Sequence, residues 1–133
     1  MTDIVISNSA KKDIESSLLY IRDVLQNPLA ATKLADSIAS QIDLLKQHPK
    51  SGPKVQDTFL AEQGFRFLLI KNYKLYYIIK TDGTKITILI IRFLFSKMNY
   101  EKILKTENLL LIVIRKLSFN SSIPFCALAA FPF

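Results

Sequence analysis

The chain is poor in the residues that stabilise small proteins from outside a core. Of its 133 residues one is cysteine, Cys126, one is histidine, His48, and none is tryptophan. A single cysteine excludes an internal disulfide, and without a cluster of cysteine and histidine there is no zinc-type ligand set. The expectation is a protein without metal or cofactor, in a reducing cytoplasm. Long apolar runs are missing too. The longest uninterrupted aliphatic stretch is LLLIVI at residues 109–114, far short of the roughly 20 residues that span a bilayer. The opening MTDIVISNSAKK has no cationic lead followed by an apolar stretch, so it does not read as a signal peptide. The expectation is therefore of no membrane partner.

What is present is globular material. Half of the residues are hydrophobic and 22% are charged, which separates the chain from disordered sequences and suits one domain with one core. The net charge of +7 is unevenly spread. Residues 1–65 carry seven Lys and Arg against eight Asp and Glu, residues 66–104 eight against two, and residues 105–133 three against one. Acidic residues are thus scarce where the strands are expected. Concentrating positive charge in one segment suits a polyanion or an acidic protein as partner.

Periodicity divides the chain. DIVIS at residues 3–7 reads as a short strand ending at the cap-forming Ser7, Asn8 and Ser9. Ala10, Ile14, Leu18, Ile21 and Leu25 then recur at helical spacing on one stripe. Asn27-Pro28 stops this helix and starts the next, asparagine as cap and proline at the first helical position. Ala31, Leu34, Ala35, Ile38, Ile42 and Leu45 form the second stripe, which ends before HPKSGP. So short a link makes the pair an antiparallel hairpin. Three strands follow at residues 65–71, 74–80 and 85–93, the last two joined by a tight turn at Asp82-Gly83. A short helix is expected over residues 97–104.

This order predicts an α+β fold, with the helical hairpin packed on one face of a small, mostly antiparallel sheet. The other face is expected to be less protected. Alternation puts Lys74, Tyr76, Ile78 and Lys80 on one side of their strand and Tyr73, Leu75, Tyr77 and Ile79 on the other. The cations then stay solvated on the open side or at strand ends.

Five co-linear features, VIS.SAKKDI, the Asn27-Pro28 break, HPKSGP, GFRFLLIKNYKLYYII and RFLFSKMNYEKIL, together resemble the RelE/ParE toxins of bacterial type II toxin-antitoxin systems, the plasmid stabilisation type. The resemblance covers residues 3–104. It implies a RelE-like fold with a short C-terminal helix, a toxin domain over residues 1–104 and an apolar accessory tail over 105–133. It also implies neutralisation by a cognate acidic antitoxin. RelE-like members cut messenger RNA on the ribosome and ParE-like members inhibit DNA gyrase. The sequence reading favours the messenger RNA interferase, with gyrase inhibition, or a non-catalytic binding module degraded from a toxin, as alternatives.

Metal-free RNA cleavage needs a base for the ribose 2′-hydroxyl, a clamp for the phosphorane and an acid for the leaving oxygen. Lysine serves as base only where neighbouring cations depress its pKa. The candidates implied are Lys74, Arg92 and Tyr100 as catalytic residues, with Arg66, Lys71 and Lys97 on RNA phosphates. Each has a plainer reading. Arg66, Lys71 and Lys74 are also ordinary strand or turn cations, and Arg92 also a partner for an acidic residue such as Glu101. Tyr73, Tyr76 and Tyr77 read as core or edge aromatics, and His48 as a surface residue at a helix end. One position departs from the family's R.L.GRR.YE ending. Ser96-Lys97-Met98 stands in place of GRR, so Met98 brings neither charge nor proton.

Overall fold

The computed structural model describes residues 2–107. Strand β1 (Thr2–Ile6) leads into helix α1 (Asn8–Leu19), which continues as a π-helical turn at Tyr20–Val24. Helix α2 (Pro28–Gln47) and the short helix α3 (Thr58–Glu62) follow, then strands β2 (Arg66–Ile70), β3 (Tyr73–Asp82) and β4 (Lys85–Phe95). A last helix, α4, begins at residue 100 and continues to residue 107. The caps read from sequence are in place. Ser7 Oγ accepts the Ala10 amide at 3.0 Å, and Asn27 Oδ1 accepts that of Ala30 at 3.1 Å with Pro28 in the first turn. The segment expected at 97–104 starts later, because the chain first turns back at the end of β4, with Met98 donating to the Phe95 carbonyl at 2.9 Å. Residues 105–107, assigned by sequence to the tail, continue α4, and the rest of that tail lies outside the described residues.

The sheet runs β1-β4-β3-β2. β1 is parallel to β4, and the other two pairings are antiparallel. The β3–β4 hairpin closes around Gly83, whose φ of +61° is the backbone state that glycine adopts without a Cβ penalty. Within it the register slips. Tyr76 faces Arg92 but Tyr77 faces Ile90, so Ile91 is an extra residue, a bulge of the kind that re-aims the side chains beyond it.

Both faces of this sheet are closed. On the first, Leu75, Tyr77, Ile88, Ile90 and Phe93 pack under Ala10, Leu34, Ile38 and Leu45 of the hairpin. On the second, Tyr76, Ile78, Leu89, Ile91 and Leu94 are buried beneath Val55, Leu60 of α3 and Leu104 of α4. This corrects the expectation of a less protected second face. The five residues of α3 are too few to show a helical period, and its cover is organised by a cap instead, Asp57 Oδ2 accepting the Leu60 amide at 3.1 Å.

The HPKSGP bend returns α2 to the sheet through one hydroxyl. Tyr77 donates to the Pro49 carbonyl and accepts the Gly52 amide, each at 3.0 Å. Gly52 is required there, since a Cβ would run into the Phe67 carbonyl oxygen and lie 2.7 Å from the Tyr77 hydroxyl.

Candidate functional site

Two of the three residues expected to be catalytic meet on the second face. β3 presents Lys74 and Tyr76 there, and β2 places Phe67 opposite Tyr76. The Lys74 ammonium lies 4.7 Å from the centre of the Phe67 ring, so its charge rests on an aromatic face while its stem is half-buried. Tyr100 comes from α4 and stacks on Tyr76, with ring centres 5.4 Å apart and planes 16° from parallel. The Tyr100 hydroxyl accepts the Asp57 amide at 3.2 Å, tying α4 to α3. Tyr76 is buried, and burial, with Tyr100 adding to it, pushes its phenol up to about 12. It stays protonated at neutral pH. Lys74, Tyr76, Tyr100, Phe67, Gln56 and Val55 enclose a recess of about 70 Å³, well below the roughly 300 Å³ at which small-molecule pockets begin.

Arg92 is held elsewhere. Its guanidinium donates to both carboxylate oxygens of Asp13, at 2.6 and 2.9 Å, and to Glu107 at 3.1 Å. Asp13 also accepts the Phe93 amide at 3.1 Å. The acidic partner is therefore not Glu101, which is exposed, but a pair of carboxylates that Arg92 bridges between α1 and α4. Burial works against the charge on Arg92, but the hydrogen bonds and charge of Asp13 and Glu107 outweigh it and raise its pKa. For Glu107 burial is the larger effect and raises its pKa against the pull of Arg92 and Ser9.

The phosphate-binding candidates are dispersed. Arg66 pairs in register with Tyr77, on the hairpin side, and donates to the Gly52 carbonyl at 2.7 Å. Lys71 is exposed in the turn between β2 and β3, with a φ of +55° that is uncommon outside glycine. Lys97 is exposed in the turn after β4, next to an exposed Met98. Sequence reasoning passed over Phe67, Gln56, Asp13 and Glu107. Asp13 is one acid among several on its helix, and Glu107 lay in the segment read as tail, so no spacing marked either.

A second feature is larger. Between α1 with its π turn and the end of β4 runs an open groove of about 730 Å³. Tyr20, Ile21 and Leu25 form one wall, Phe93, Phe95 and Met98 the other, and Asp13 and Arg92 close one part of it. Tyr73 fixes the floor, stacked on Phe93 at 4.9 Å and edge-on to Phe95 at 5.6 Å.

Among the described residues no group of three or more His, Cys, Asp and Glu side chains could hold a metal ion. No helix among them is long and apolar enough to cross a membrane. No curated protein matches the chain in sequence. Among solved structures, a chromosomal ParDE TA system from P. aeruginosa superposes with a TM-score of 0.54 at 21% identity, over 73% of this chain and 98% of that one. A YoeB/ParE toxin from Agrobacterium tumefaciens gives a TM-score of 0.51 at 16% identity, over 70% of this chain and 97% of that one. At such identities the likeness is one of fold. The sequence pattern described as ParE toxin of type II toxin-antitoxin system, parDE, matches residues 4–100, and with most of the chain inside that match the protein belongs to the ParE toxin family.

Proposed function

We propose that this protein is a toxin that acts by binding DNA gyrase rather than by cutting RNA, and that an acidic antitoxin neutralises it. The observation that carries the choice is the state of Arg92. A nuclease needs an unmatched cation where charge develops on the phosphorane, and the Arg92 guanidinium already faces two carboxylates, from Asp13 and Glu107. Arg66 is turned to the opposite side, and Met98 brings no charge. A binding toxin needs none of these groups in convergence, only a surface. This reverses the order of preference drawn from the sequence.

The interferase reading retains one supporting observation, the meeting of Lys74 with Tyr100 around Tyr76. On that reading Lys74 faces phosphate or removes the 2′-proton, and Tyr100 orients a proton or stacks on a base. The deciding experiment is controlled expression in bacteria with transcript 5′ ends and DNA supercoiling read separately. Gyrase inhibition should leave transcripts intact while DNA becomes relaxed or broken. Cuts at fixed codon positions, abolished by Lys74→Ala in an equally stable protein, would instead establish the interferase on the ribosome. Exposed Lys71, Lys97 and Lys102 support the antitoxin's acidic character, and its binding should weaken as salt rises.

A further inference from the structure

The recess around Tyr76 holds two hydrogen-bond donors that no described residue engages. Lys74 is the one charged side chain lining it. It makes no ion pair or hydrogen bond among the described residues and rests only against the Phe67 ring. Half-buried on a covered face of the sheet, this cation has lost part of its hydration and gained no counter-charge in return. Tyr76 is 2% exposed, yet its hydroxyl has no hydrogen-bond partner among the described residues either. Buried hydroxyls are nearly always partnered. This one is not sealed off, since the sealed and unpartnered side-chain oxygen among the described residues is Glu107 Oε2. It therefore opens on the recess that Tyr76 lines. Its raised pKa keeps the proton in place, so it can donate.

Shape and charge narrow what fits. Lys74 and Tyr76 are two residues apart on β3 and leave the same face, about 7 Å apart at the backbone. The stacked rings of Tyr76 and Tyr100, with the ring of Phe67, give the recess flat walls, and its volume of about 70 Å³ holds only a few heavy atoms. A neutral group leaves the ammonium unmatched. A phosphodiester carries the right charge, but it is embedded between two sugars too large for this space. A carboxylate on a methylene stem is flat, singly charged and terminal, with one oxygen for the ammonium and one for the phenol. We propose that the recess is a socket for one aspartate or glutamate side chain of an acidic protein partner. This rests on the reading above that an acidic antitoxin neutralises the protein. Such a contact turns the general attraction of a basic surface into one that fixes orientation and register.

A capped glutamate, N-acetyl-glutamate α-amide, tests this when titrated into the full-length chain at neutral pH and constant ionic strength. Its neutral isostere, N-acetyl-glutamine amide, and the diester dimethyl phosphate are run beside it. The ring signals of Tyr76 and Tyr100 and the ε-methylene signal of Lys74, followed by NMR, report occupancy. The capped glutamate should shift them saturably, with a dissociation constant on the order of 10 mM for so small a fragment. The glutamine amide should bind at least tenfold more weakly. Lys74→Gln and Tyr76→Phe, each shown by urea unfolding to be folded, should weaken binding at least fivefold, whereas Lys46→Gln, an exposed lysine on α2, should leave it within twofold. On the unaltered chain, no saturable shift or equal shifts from the glutamine amide would overturn the proposal. Tighter binding of dimethyl phosphate would overturn it too, by assigning the socket to a nucleic-acid phosphate. The acidity of the antitoxin is judged separately, by the salt dependence of its complex. An empty socket leaves that reading standing, and a complex insensitive to salt removes that reading while a filled socket still supports this one.

Discussion

The two faces of the sheet are closed by different means. The first lies under α1 and the 20-residue α2, whose stripes bury Ala10, Leu34, Ile38 and Leu45 against β3 and β4. The second lies under a five-residue helix and α4, and is rich in aromatics, Phe65, Phe67, Tyr76 and Tyr100. Helices shorter than about 12 residues are marginal on their own. The second face is accordingly fastened by specific contacts: Tyr100 to the Asp57 amide, Lys105 to Asp57 at 3.5 Å, and Glu107 to Arg92. The first face has ties of its own, Tyr77 to the bend after α2 and Arg92 to Asp13 of α1, but adds them to two long helices, whereas the second depends on its ties to hold two short ones. The candidate residues Lys74 and Tyr100 belong to the second face, so changes in α4 reach them and changes in the hairpin reach them less.

The largest effect expected is from cutting the main tie. Arg92→Ala strands the carboxylates of Asp13 and Glu107 in a setting where Arg92 and Asp13 are each only about a fifth exposed, and should cost about 3 kcal/mol in urea unfolding. Hydrogen exchange in α3 and α4 should accelerate more than in α2; equal acceleration everywhere would show that the faces are not independently held. Leu104→Ala removes a fully buried side chain from the second core and is expected to cost about 2.5 kcal/mol. Its urea midpoint should fall while exchange in α2 changes little. On the first face, Gly52→Ala sets a methyl group against the Phe67 carbonyl and the Tyr77 hydroxyl. Overpacking of this kind costs about 2 kcal/mol, and a thermal melt indistinguishable from the parent's would mean the bend has room to shift.

The smallest effect concerns Glu107 and has a sign that depends on pH. Its pKa is raised by burial despite Arg92, so the folded chain holds a proton in a window above the ordinary carboxylate range where the unfolded chain has released it. Stability from this group is therefore gained as pH falls through the raised value and lost as pH rises. Glu107→Gln should match or exceed the parent at neutral pH, and its advantage should shrink as the pH is lowered toward about 4. Melts in steps across that range check it. A variant less stable than the parent by a constant amount would show that the ionised Glu107 is net favourable.

Much of the candidate site followed from no local pattern. Lys74 and Tyr100 were picked out by resemblance, and the chain brings them within one recess although they lie on different elements. Arg92 was picked out equally well, yet its charge is committed to Asp13, which is 79 residues away in sequence. A spacing rule reads positions along one helix or strand, and an ion pair between α1 and β4 has no such signature. The bulge at Ile91 compounds this, because strict alternation would carry Arg92 and Phe93 to the wrong sides. Even Arg66 and Lys74, close on paper as cations flanking one hairpin, face opposite layers.

The sequence by itself determined the elements whose period repeats several times: the hairpin with its Ser7 and Asn27 caps, the three antiparallel strands and the glycine turn at Gly83. Each is set by interactions within a few residues, or by a stripe long enough to demand a core. Tertiary structure alone decided which face is covered, which cations remain unmatched and where a groove is left open. Those depend on distant segments meeting, α3 and α4 on one side of the sheet, Asp13 and Glu107 on Arg92, and on β1 ending at Ile90 while β4 continues to Phe95. A local pattern records how a residue is presented; the charge or surface it finally faces belongs to the residue packed against it.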